Sequence, residues 1–224
     1  ELVSRYGLRG MRTAIALVLS YQILNDQGLR DRGATRLHVE LAEHEAQGGR
    51  SMGMWSKLVA QCMKALSEDN YEMAAGVGES LLRVANESGM HYLSVLAGVM
   101  YSHALVQCGR TERLEEVVER TSTIVRGTCL DHWEVDLDLV RARARQRQGD
   151  TAIAVDMLRA ALATARQTDY RYMYFFSRAF YGEVFALALA HGIETDYVRS
   201  TITRYGTTPP GVEVPHWPWT VQVF

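Results

Sequence analysis

The chain has 224 residues, with 24 basic side chains against 26 acidic ones, and its formal net charge of −2 excludes bulk attraction to nucleic acid or to an anionic membrane. Hydrophobic residues are 47% of the chain and charged residues 22%, which excludes a disordered tract and fits an ordinary soluble domain or repeat array. Cys62, Cys108 and Cys129 are odd in number and far apart, which argues against a disulfide framework and for a reducing, cytoplasmic setting.

All four prolines lie between positions 209 and 218, and residues 1–208 contain none. Proline breaks helix interiors, so a long stretch free of it and cut only by glycine and short polar turns predicts an all-α fold. No apolar run reaches the ~20 residues of a membrane-spanning helix. The chain opens at Glu1 with no signal peptide and reads as a piece of a longer protein.

In chain order, residues 1–10 read as the end of a helix. Met11 to Gln27 follows, with Ile15, Leu17, Val18, Tyr21 and Leu24 inward. Gly28 turns the chain into Leu29 to Gln47. Met52 to Leu66 carries a stripe of Trp55, Leu58, Val59, Cys62 and Leu66. Asp69, with Glu72 three residues on, reads as a capping pair for a helix reaching Ser88 that buries Ala74, Leu81, Leu82 and Val84. Met90 to Gln107 carries Leu93, Leu96, Ala97, Tyr101 and Leu105. Gly109 turns it, Thr111 caps a helix with Leu114, Val117 and Val118, and Gly127 stops that one. Asp131, with Glu134, caps a helix burying Trp133, Leu137 and Val140. Gly149 and Asp150 then open a helix to 167, with apolar residues at 153, 154, 157, 158, 161, 162 and 165. Tyr170 to Ala190 is crowded with aromatics, and Gly192 leads into a last helix over Thr195 to Tyr205.

The turns inside successive hairpins, at Gly28, Asp69, Gly109, Gly149 and Gly192, are 41, 40, 40 and 43 residues apart. That regularity predicts about five antiparallel helix pairs stacked as an α-solenoid over 1–208, each pair burying its stripe against its neighbours. Residues 209–224 read as a short extended Pro/Trp hinge and the start of a strand.

Small Gly98 followed three residues later by Tyr101 resembles the first-helix signature of the tetratricopeptide repeat. The elongated period of about 40 residues resembles the superhelical sensor domains of activators of the maltose-regulon type, within the signal-transduction ATPases with numerous domains. Ile193-Glu194-Thr195-Asp196-Tyr197-Val198-Arg199, followed by Pro215-His216-Trp217-Pro218-Trp219, is similar to the end of the helical array in large ATPase-coupled transcriptional activators. There a Trp-Pro-Trp hinge enters the first strand of a bacterial transcriptional-activator module. The resemblance implies an effector-sensing and protein-interaction domain of a multidomain transcriptional regulator, without direct nucleic-acid contact. It implies Trp217, Pro218 and Trp219 as the interdomain hinge.

No phosphate-binding Gly-rich loop is present, no spacing implies a metal or a cofactor, and no acid–base pair is implied; the chain is not expected to be an enzyme. His38, Glu43 and His44 do not have zincin spacing and read as solvated side chains. Arg141, Arg143, Arg145 and Arg147 alternate over two faces and read as a solvated ridge or a contact with a neighbouring domain, with Asp138 in reach of Arg141. His91-Tyr92, His132-Trp133 and Arg171-Tyr172 occupy equivalent starts of three first helices. They can line one concave groove for a small molecule or peptide; equally, Tyr92 and Trp133 can be inter-repeat core with the histidines at helix starts. A scaffold that binds protein partners or self-associates, without an effector, is the other functional reading.

Overall fold

The structure is a computed structural model that describes residues 51–128, 132–170, 177–207 and 209–219. The elements expected before residue 51, and Cys129, Asp131, Arg171, Tyr172 and residues 220–224, lie outside the described residues. The regular elements among the described residues are all helices, without strands: α1 Ser51–Ser67, α2 Tyr71–Glu87, α3 His91–Cys108, α4 Thr111–Arg126, α5 His132–Gln148, α6 Thr151–Gln167, α7 Arg178–Ala190 and α8 Thr195–Tyr205.

The turns share one hydrogen-bonded closure. The N–H of Asn70 donates to Ala65 O, that of Arg110 to Leu105 O, that of Asp150 to Arg145 O and that of Ile193 to Ala188 O. In each case the residue before the donor is left-handed: Asp69 at φ 55°, Gly109 at 71°, Gly149 at 90° and Gly192 at 61°. This is the reversal that satisfies the last carbonyls of a helix, and glycine adopts it without strain. Asp69 is therefore part of the turn and does not cap α2. The cap is Asn70, whose side chain accepts from the Met73 N–H. Likewise Arg110, not Thr111, holds the cap position of α4, and the Asp150 side chain makes no cap bond. Asp150 instead lies 3.8 Å from Arg145.

Every residue from Leu93 to Val106 on α3 is buried. A helix apolar all round needs neighbours on every side, and α3 packs on α1, α2, α4 and α5. Two glycines let those neighbours in. A Cβ on Gly98 would sit 2.1 Å from Thr121 Oγ1 of α4, and one on Gly78 of α2 would sit 3.0 Å from the Tyr101 ring. The expected small-aromatic signature thus marks two contacts of α3 on opposite partners. Each helix touches the next, and α1, α3, α5 and α7 touch in series. On α6, Ala154 and Ala161 are buried as expected, but Ile153 is half exposed and Val155 takes the inward place.

The first half of α7 packs on the side shared by α3 and α5. Phe180 meets the His103 ring at 4.4 Å. Tyr181 Oη donates to Asp136 Oδ1 of α5 at 3.0 Å. Ser177, which caps α7 by accepting from the Phe180 N–H, also reaches Asp69 and Tyr71 at the start of α2.

Candidate functional site

The residues singled out at the helix starts separate by burial. His91 and His132 are exposed and Tyr92 is about half exposed, whereas Trp133 is 1% exposed and part of the core. The His132 and Trp133 rings lie 5.1 Å apart, tilted by 40°. At the C-terminal end, Trp217 is buried, Pro218 is half-buried and Trp219 is exposed, the two indoles meeting edge to face at 6.0 Å.

The alternating arginines divide the same way. Arg141 pairs with Glu134 at 2.9 Å and with Asp138 at 2.6 Å. Arg143 turns inward, pairs with Glu183 of α7 and donates to Gln146. Gln107 of α3 donates to the same Glu183 carboxylate, at 3.2 Å. These contacts fix the face of α7 against α3 and α5 by charge as well as by apolar area.

A polar seam runs beneath that contact. Asp136, fully buried, accepts from Tyr170 Oη at 2.5 Å and from Tyr181 Oη at 3.0 Å. Burial pushes its pKa up from 3.8 to about 6, the two hydroxyls pulling the other way. His103, also fully buried, has no hydrogen bond on either ring nitrogen among the described residues and packs against Phe180 and Tyr181. Burial lowers its pKa from 6.5 to about 3. Further along, Tyr71 Oη lies 2.5 Å from Asp69 Oδ1 and 2.7 Å from Ser177 Oγ. Burial, and then the Asp69 carboxylate, push that phenol's pKa up. The signal for the seam was in the sequence: Asp136 stands between Val135 and Leu137, and His103 between Ser102 and Ala104, both at core phase. Asp136 and His103 are sealed from solvent, so their chemistry is structural. Cys62 is equally sealed, its thiol pushed up to about 12 by burial.

Solvent-open cavities lie elsewhere. One of about 670 Å³ adjoins α8 and Pro218. Two more, of about 440 and 360 Å³, adjoin each other where α2, the start of α3 and α4 meet. Among the described residues no three His, Cys, Asp or Glu side chains group as metal ligands, and no helix is long and apolar enough to cross a membrane.

Comparison of the chain with protein-family models, with curated proteins and with solved structures finds no match.

Proposed function

We propose that the chain is a tetratricopeptide-like α-solenoid serving as an effector-sensing and protein-interaction domain of a multidomain, ATPase-coupled transcriptional regulator in the cytoplasm. The observation that carries the repeat part is the recurrence of one turn closure at residues 65–70, 105–110 and 145–150, with a related closure at 188–193. The same closure also ends α6 at 165–170 and α8 at 202–207, so it is the forty-residue steps of the first three, with the serial contact of α1, α3, α5 and α7, that support reading successive hairpins as built on one plan. The regulator part rests on the resemblance of 193–199 and 215–219 to the end of activator arrays, with Trp217, Pro218 and Trp219 as the hinge. The exposed Trp219 ring supports that role, because it leaves an apolar face for a following domain.

In this reading His91, Tyr92 and His132 present polar and aromatic groups at the rim; the expected third pair, Arg171 and Tyr172, lies outside the described residues, and the helix there starts at Arg178. An effector acts by binding the active form of the whole regulator more tightly than the resting one. In the full-length regulator, Tyr92→Ala combined with His132→Ala should abolish the effector response while circular dichroism stays unchanged. An unaltered response removes this site.

The scaffold reading, with protein partners or a second copy and no small-molecule effector, is favoured by the seat of α7 on the side shared by α3 and α5. That seat occupies part of the surface a groove would need. Calorimetry against a metabolite panel, together with sizing of the chain, separates the two: heat with unchanged size supports the sensor, and self-association without heat supports the scaffold.

A further inference from the structure

Of residues 209–219, only Val214 and Trp217 are buried, both in the common core, while Pro215 and His216 between them are exposed. The Trp217 N–H donates to Val214 O at 3.4 Å. This closes a four-residue turn with proline in its second place and His216, at φ 61°, in its third. That is the pattern of a type II turn, whose third place favours glycine or asparagine because the backbone there is left-handed. A residue with a Cβ is strained in that region. The turn that seats Trp217 is therefore loaded against its own seat.

Trp217 supplies a second and independent load. Its indole Nε1 is sealed from solvent and has no hydrogen-bond partner among the described residues. In water the same N–H would be satisfied. What holds the seat is the apolar area of Val214 and Trp217.

The surroundings leave this segment separable from the helices. Beyond Trp217 the chain adds little to the seat: Pro218 lines the cavity of about 670 Å³ against α8, and Trp219 is exposed. The Trp219 ring meets Trp217 edge to face at 6.0 Å, so the two indoles move together. Upstream, α8 has its own closure, the Thr207 N–H donating to Ile202 O behind left-handed Gly206, and does not depend on the tail. Gly211 is left-handed at φ 67° with no heavy atom within 4 Å of where a Cβ would stand, which gives the tail a swivel clear of the helices.

We propose that residues 214–219 form a latch, in which Trp217 is a releasable plug in the end of the array, opposed by the left-handed His216 and by its own unpartnered indole N–H. Release frees both indoles and changes the direction in which the chain leaves α8. The proposal rests on the reading of Trp217, Pro218 and Trp219 as a hinge and specifies how that hinge moves. The test is fluorine NMR of the whole chain labelled with fluorotryptophan, with Trp217→Phe and Trp219→Phe to assign the two signals. Saturation transfer should show Trp217 and Trp219 exchanging with a second, solvent-like environment populated at about 1–10%. Trp133, in the core of α5, should show no such exchange and serves as the internal control. His216→Val, whose branched side chain suits a left-handed backbone worst, should raise the ratio of released to seated form about tenfold, and His216→Gly should lower it several-fold. Helix content by circular dichroism should be the same in all three chains. A single Trp217 environment in both the parent and His216→Val overturns the proposal, because the plug is then fixed. Exchange of Trp133 in step with Trp217 also overturns it, because the motion is then unfolding of the array. Either failure leaves the regulator reading standing, since that reading is tested by the effector response.

Discussion

Replacing Asp136 by asparagine, and separately His103 by leucine, should tilt the acid dependence of stability in opposite directions from the parent's. The folded chain holds Asp136 at about 6 against 3.8 for an unburied carboxyl. It therefore takes that proton before the unfolded chain does, and stability rises as pH falls from about 6 towards 3.8. His103 is held at about 3 against 6.5. There the unfolded chain protonates first, and stability falls as pH drops below 6.5. At about 1.4 kcal/mol per pH unit, acidification from pH ~7 to pH ~4.5 gives about +2 kcal/mol from Asp136 and about −3 kcal/mol from His103. The two nearly cancel in the parent. Measured against the parent over that interval, Asp136→Asn should come out about 2 kcal/mol less stable at the acid end, and His103→Leu about 3 kcal/mol more stable. Urea unfolding followed by tryptophan fluorescence at the two pH values measures both. Ion pairs common to the three chains drop out of the differences. An Asp136→Asn profile parallel to the parent's would mean that this carboxyl does not titrate in the interval and would refute the reasoning.

Gly98→Ala should destabilise by about 2 kcal/mol by forcing a methyl against Thr121, and adding Thr121→Ala should recover most of that loss in thermal melts. Glu183→Gln leaves the largely buried Arg143 without its carboxylate and should cost about 3 kcal/mol in urea titrations, with the first protection from hydrogen exchange lost in α7. Gly109→Ala should cost about 1 kcal/mol because its φ is +71°, whereas Gly127→Ala at φ −89° should be neutral or slightly stabilising.

Local chemistry was readable in the sequence, and long-range placement was not. Gly109, Gly149 and Gly192 declared their turns because no other residue takes a left-handed backbone as readily. Stripes such as Leu114, Val117 and Val118 declared the inward face of α4. Asp69 misled because aspartate is a good cap as well as a tolerable turn residue; with Asn70 next to it, the carboxamide took the cap and Asp69 took the bend. Ile153 misled because it sits in the first turn of α6, where a residue in phase with the stripe can still project past its neighbours. At the candidate site, the pairing of His and aromatic at 91–92 and 132–133 could not say which ring goes under. The bulkier Trp133 went into the core and Tyr92 stayed outside. Nothing local could place Ser177 beside Asp69 and Tyr71, since no periodicity within either segment refers to the other.

The bond between Tyr71 and Ser177 joins positions 106 residues apart. In an open row of hairpins, an end can fray while the middle stays intact, and melting is gradual. A strap of this reach makes the turn between α1 and α2 and the last helices share one fate. Loosening α7 exposes the flank of α3 and α5 together with a buried carboxylate, so partial unfolding gains little over complete unfolding. The chain should therefore melt in a single sharp step, and trimming it from the C-terminal side should abolish the native state outright instead of shortening it by one unit.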